Sequence, residues 1–213
     1  ALGLLLVFRT NSAYDRFWEG RKLWGGIVNE TRNLIRLAVV HLREEPEMLA
    51  AITRLTAAFP YLSMATLRSD PTLLKLATFM PEAEARAIAR AQHPPLHAAT
   101  RISEHLAEAH RRGRVSDVTM QAIDQNVQLL VDYLGGCERI RKTPLPFAYV
   151  VHLRRALVLY CFTLPFALVE MFGWTTIFDV LLISYVFFGI EEIGVEIEGP
   201  FGQIGRASCR ERV

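Results

Sequence analysis

From Ala156 to Ile190 the chain reads ALVLYCFTLPFALVEMFGWTTIFDVLLISYVFFGI, with Glu170 and Asp179 as its only charges. Gly173-Trp174-Thr175-Thr176 divides this stretch into two apolar runs, Ala156 to Phe172 and Gly173 to Ile190. A helix that crosses a bilayer takes about 20 mostly apolar residues, within a range of about 17–25, and each run falls at the short edge of that range. Both runs are apolar all round and edged by charge, which separates them from the one-sided helices of a soluble core. The stretch therefore reads as a transmembrane helical hairpin. Arg154 and Arg155 precede it and its turn carries no Lys or Arg. By the positive-inside rule the turn lies outside and residues 9–155 lie in the cytoplasm.

The whole-chain composition agrees. Of 213 residues, 51% are hydrophobic and 22% charged, and the mean hydropathy is +0.21, high for so many charges. That much apolar surface excludes a disordered chain. Three cysteines, Cys137, Cys161 and Cys209, are too few and too unpatterned for a disulfide scaffold. A net charge of +2 is too balanced to imply a nucleic-acid partner.

The two ends are expected to be incomplete. Ala1 to Phe8, ALGLLLVF, meets Arg9 and stops. A signal peptide carries its charge before the apolar run and not after it, so residues 1–8 read as the end of a longer membrane helix. Residues 206–213, RASCRERV, shift abruptly in composition. They are expected to be a non-native tail, and Cys209 is given no role.

Residues 9–155 read as helices without a convincing strand. Phe17, Trp24, Ile27, Thr31, Leu34 and Ala38 make one apolar stripe on a helix from about Ala13 to Leu42. Asn11 or Ser12 caps it, or the preceding helix simply continues. A second helix is expected over Met48 to Leu67, kinked or split at Pro60. A short helix over Ala83 to Ala91 is closed by Pro94-Pro95, and another runs from Leu96 to Arg112 before Gly113. The last covers Val115 to Leu134, with Asp117 in its first turn and Gly135-Gly136 ending it.

No catalytic constellation survives inspection. His105 and His110 are five residues apart, so they miss the i, i+4 spacing of a zinc-protease helix. His93 and His97 have the right spacing but flank Pro94-Pro95. There is no Gly-rich phosphate loop, no G-x-S-x-G and no Cys–His pair at ligand spacing, so neither enzyme nor cofactor is expected.

Three blocks carry more specific information. The first is Phe8-Arg9-Thr10-Asn11-Ser12-Ala13-Tyr14-Asp15-Arg16-Phe17-Trp18-Glu19, with Arg21 and Leu23-Trp24-Gly25. The second is Gly135-Gly136-Cys137-Glu138-Arg139-Ile140, continuing through Thr143-Pro144-Leu145-Pro146-Phe147-Ala148-Tyr149 to His152-Leu153-Arg154-Arg155. The third is Glu191-Glu192-Ile193-Gly194-Val195-Glu196-Ile197-Glu198-Gly199-Pro200-Phe201-Gly202. In order and spacing they resemble the bestrophin family, in its shorter bacterial branch, from Ala1 to about Gly202.

The resemblance implies an all-α membrane protein: a homopentameric channel for small monovalent ions, with a transmembrane and a cytoplasmic helical layer around a central pore. Its partners would be copies of itself, the lipid bilayer and small inorganic ions, and its place the bacterial inner (plasma) membrane. In chain order this gives a pore-helix end (1–8), a cytoplasmic helical region (9–155), the membrane hairpin (156–190) and a cytoplasmic return segment (191–205). Leu4 and Phe8 match positions of the family's apolar pore neck. They also share a helix face by their i, i+4 spacing, which fits either stacked apolar rings that gate by dewetting or ordinary packing. Animal members continue past the Pro-Phe-Gly block with an acidic calcium clasp. Here Gln203-Ile204-Gly205 follow, without the carboxylates calcium requires, so no metal site is expected.

The charged candidates leave selectivity open. The family is best known for chloride channels, while bacterial relatives are thought to favour cations. Glu192 and Glu196 share a face near the inner membrane edge, among Glu191 and Glu198, with Arg154 and Arg155 at the same level. The acids either line the pore, favouring cations, or pair with the arginines, as is expected for at least two of them. Asp179, deep in its apolar run, is the better candidate than Glu170 to face a watery path. The competing readings are a non-conducting membrane scaffold, a secondary transporter and a soluble regulatory domain. A transporter would usually show two related halves with broken helices.

Overall fold

The structure, a computed structural model, describes residues 2–70 and 80–202. Among the described residues it is all-helical: α1 Leu2–His41, α2 Pro46–Arg68, α3 Glu82–Arg90, α4 Pro94–Arg111, α5 Asp117–Lys142, α6 Phe147–Phe172 and α7 Thr176–Glu198, with a 3₁₀ turn at Gly173–Thr175. Two bodies can be distinguished. One combines the chain up to Glu19 with the chain from Ile140 onward, and the other is Gly20–Arg139. The calcium-clasp positions 203–205 and the tail 206–213 lie outside the described residues.

In the body Gly20–Arg139, α2 packs along α4, and α3 also lies on α4. The stripe anticipated on α1 is real: Ile27, Leu34 and Ala38 are fully buried and Thr31 nearly so. α1 needs no cap near Ser12, because the helix is continuous there and the Ser12 hydroxyl donates to the Phe8 carbonyl at 2.9 Å. Pro60 does not split α2. Its neighbours Phe59 and Leu62 are buried, and such packing holds a helix through a lost backbone bond. Pro94 opens α4 where Pro94-Pro95 were expected only to close the helix before it. Proline suits a first turn, where its missing N–H would have no partner anyway, and His93 Nδ1 accepts from the Leu96 N–H at 3.2 Å.

The larger correction concerns Gly135-Gly136, which do not end α5; the helix continues to Lys142. A Cβ on Gly136 would stand 2.9 Å from Leu23 Cδ1, and one on Gly26 would stand 2.7 Å from Tyr133 Cζ. Thus α1 and α5 each present a glycine to a large side chain of the other. The glycines allow close approach of two backbones and do not serve as helix stops.

In the other body, α6 and α7 form the expected hairpin, turning at Gly173, whose φ of +54° favours glycine. The helices extend past the apolar runs, starting at Phe147 and ending at Glu198. At 1.5 Å per residue they span about 39 and 35 Å, beyond the roughly 30 Å of a hydrocarbon core. Leu6 of α1 is buried with Leu153 and Leu157 of α6, joined by Leu2, Cys161 and Phe187. Tyr160 and Phe187 meet edge to face, centroids 5.7 Å apart. Only 6% of the most apolar 18-residue stretch of this hairpin is buried, against 44% of that in α2. α2 is thus a helix with a packed face, whereas α6 and α7 leave their apolar surface uncovered within the chain.

Candidate functional site: the start of α1 and its ion cluster

The first five turns of α1 have two contrasting faces. Leu6, Arg9, Ala13 and Gly20 are buried, with Leu2 partly so. Leu4, Phe8, Asn11, Asp15 and Glu19, also spaced by threes and fours, are exposed. Leu4 is 60% and Phe8 56% exposed, although both belong to an apolar run. The exposed face therefore passes from apolar at Leu4 and Phe8 to polar and acidic from Asn11 onward. Tyr149 of α6 steadies this segment by donating from its hydroxyl to the Leu5 carbonyl at 3.2 Å.

One turn past Leu6, the buried face carries a charge. Arg9 is 1% exposed, and its Nη1 donates to Glu191 Oε1 at 2.9 Å. Arg154 donates to the same oxygen from Nε at 3.1 Å and Nη2 at 3.0 Å. Glu198 Oε2 lies 3.8 Å from Arg9 Nη2. A buried guanidinium is tolerated only with such partners, and this cluster ties α1, α6 and α7 at one level. Nε and Nη2 of Arg9 make no hydrogen bond among the described residues, so the arginine depends heavily on Glu191.

Two of the four acids are indeed paired, but they are Glu191 and Glu198, and their chief partner Arg9 is not among the arginines named from the sequence. Glu192 and Glu196 are exposed on α7 and form no ion pair among the described residues. Arg155 is likewise exposed and unpaired among them, while Arg154 is half-exposed and bound to Glu191. Asp179 stands half-buried in the first turn of α7, beside the hairpin turn, where the helix N-terminus favours a carboxylate. Glu170 is exposed in the last turn of α6.

Sequence reasoning also missed Arg16. It donates from Nη2 to the Ile140 carbonyl at 2.7 Å and from Nη1 to the Thr143 carbonyl, so it caps the C-terminus of α5. The available signal was a lone arginine facing the Arg9 side of α1. Among the described residues no group of three His, Cys, Asp or Glu side chains is placed to hold a metal ion.

Comparison with known proteins gives one consistent answer. The family model described as "Bacterial/Fungal Bestrophin protein" matches residues 1–206. A voltage-dependent anion channel-forming protein of Synechocystis sp. is 45% identical over 205 residues, covering 94% of this chain and 67% of that protein. YneE of Escherichia coli O157:H7, which carries the same description, is 34% identical over 202 residues, covering 95% and 66%. The chain thus spans about two thirds of the length of these relatives. A crystal structure of a bacterial bestrophin homologue from Klebsiella pneumoniae superposes with a TM-score of 0.91 at 32% identity, covering 95% of this chain and 76% of that one. On this sequence and structural likeness, the chain belongs to the bacterial/fungal bestrophin family.

Proposed function

We propose that the chain is the pore-forming part of a bestrophin anion channel of the bacterial inner membrane, working as a homopentamer and not as an enzyme. The observation that carries this reading is the exposed pair Leu4 and Phe8 beside the buried Arg9. Leu5 and Val7 are exposed beside them, and apolar side chains left uncovered directly before a fixed charge cluster suit a ring assembled from several copies. One hairpin and one further helix cannot enclose a pore alone, and the number five comes from family resemblance. The relatives' description as anion channel-forming proteins supports the choice of ion.

In this reading α6 and α7 cross the membrane through residues 156–190, residues 9–155 lie in the cytoplasm, and 191–205 return there. The uncovered apolar surface of α6 and α7 is then lipid-facing or packed on neighbouring copies. Leu4 and Phe8 form the neck, where an ion loses hydration without gaining partners. Glu192 and Glu196, exposed and without an ion pair among the described residues, favour a second reading, in which acidic rings make the pore cation-selective. Single-channel recording of the complete protein under a potassium chloride gradient tests both. A reversal potential near that of chloride supports the anion reading; one near that of potassium supports the acidic rings. No current from a reconstituted, correctly assembled oligomer would leave the scaffold reading.

A further inference from the structure

The body Gly20–Arg139 contains a cavity of about 410 Å³ that the channel reading does not use. It is lined by Ala51 and Arg54 of α2, Glu84 and Ala87 of α3, and His97, Arg101 and His105 of α4. His97, Arg101 and His105 are spaced by four, so they project from one face of α4 in three successive turns. All five polar lining residues are half-buried. Two of the polar side chains are permanently cationic, two are imidazoles, and one is a carboxylate.

The two guanidiniums are not used up by internal pairing. Arg54 Nε is buried and has no hydrogen-bond partner among the described residues. Arg101 is bound by Glu104, but that acid is 54% exposed and its pair lies at the cavity's edge, in the reach of water. Burial, and next the Arg101 guanidinium, hold the pKa of His105 below its ordinary 6.5, with Arg54 acting in the same direction; only Glu84 and Glu104 oppose them. Positive charge is therefore crowded along this wall, with Arg54 and Arg101 set against Glu84 and Glu104, and Arg54 keeps a buried donor without a partner among the described residues.

We infer that this cavity binds a phosphate-bearing small molecule, with Arg54 and Arg101 as the cationic clamp and His97 and His105 as additional donors. Guanidinium forks match phosphate oxygens in pairs, and the volume lies within the range of small-molecule sites, leaving room for an organic part beside the phosphate. Glu84 limits affinity by repulsion and keeps the empty cavity near neutrality. An anion bound beside His105 favours its protonated form, so binding raises the pKa of this histidine. The groups that face His105 during this titration are Arg54 from α2, Glu84 from α3, and Arg101 and Glu104 from its own helix.

The test is calorimetric titration of the full chain in detergent with inorganic phosphate and, separately, with glycerol 3-phosphate, at constant ionic strength. Arg54→Gln should weaken binding about tenfold, the loss of one charge-assisted hydrogen bond, and Glu84→Gln should tighten it. Binding of both probes assigns the site to phosphate esters, whereas binding of inorganic phosphate alone assigns it to the free ion. Thermal melting of each variant without ligand checks that folding is retained, and Arg54→Lys should recover part of the affinity. Absence of binding by both probes, or equal binding by the parent and Arg54→Gln, would overturn the proposal. Because the readout is binding, the outcome does not depend on whether the channel conducts.

Discussion

Arg9 and Glu191, 182 positions apart in the chain, share a hydrogen bond of 2.9 Å between Nη1 and Oε1, with the arginine 1% exposed. That bond ties the start of α1 to the end of α7, and Arg154 of α6 closes on the same oxygen. The apolar pair Leu4 and Phe8 is presented from the opposite side of a segment anchored in this way.

Glu191→Gln strands the Arg9 charge in a buried site. Breaking a buried pair from one side costs about 3–5 kcal/mol, so thermal melting of this variant should fall steeply and the oligomer should loosen. Arg9→Gln should cost less, because Arg154 still donates to Glu191 from Nε and Nη2. A melt within error of the parent would show that water, and not Glu191, satisfies Arg9.

Glu192 and Glu196 are exposed and unpaired among the described residues, so Glu→Gln at both should leave the melting temperature unchanged. Pairing of at least one of the two with Arg154 or Arg155, as the sequence leads one to expect, would make the same variant less stable. If they border the ion path, the reversal potential should shift toward greater chloride preference, and most clearly at low salt, where exposed charges are least screened.

Adjacent glycines of α5 should respond in opposite directions. Gly135→Ala meets open space, while Gly136→Ala places a Cβ 2.9 Å from Leu23. The first should stabilise by about 0.5–1 kcal/mol through helix propensity, and the second should destabilise by about 1–3 kcal/mol through overpacking. Chemical denaturation of the two variants side by side decides it.

His105 makes a pH prediction. Its folded-state pKa lies below 6.5, chiefly through burial and then Arg101, so the unfolded chain takes up the proton first. Its stabilising contribution is complete above pH 6.5 and declines as pH falls from there through the folded value. His105→Gln should flatten the acid side of the stability curve between about pH 7 and 5. An unchanged slope would place the acid sensitivity elsewhere.

Much of this architecture was legible from the chain. The hairpin turn at Gly173 follows from two apolar runs separated by a glycine, and the buried stripe from Ile27 to Ala38 follows from helical spacing. Proline and glycine misled where tertiary contacts override local preference: Pro94 starts a helix, and Gly136 makes room for Leu23 within one. The ion cluster was half visible. Charge type and membrane level pointed to acids meeting arginines, but which acid faces inward depends on how α7 is rotated against α1, and sequence spacing does not fix that rotation. Glu191 and Glu192 differ by a single step of about 100° around the helix, and only the packed structure separates the buried acid from the exposed one.

The central claim is that Leu4 and Phe8 form the constriction of an assembled pore, and single-channel recording of the complete protein carrying Leu4→Ala and Phe8→Ala tests it most directly. The account predicts a higher conductance or open probability with the oligomer intact, because a wider ring no longer strips water from the ion. Lower or unchanged current from an oligomer destabilised by about 2–5 kcal/mol per truncated side chain would contradict it, and would assign both residues to packing between copies.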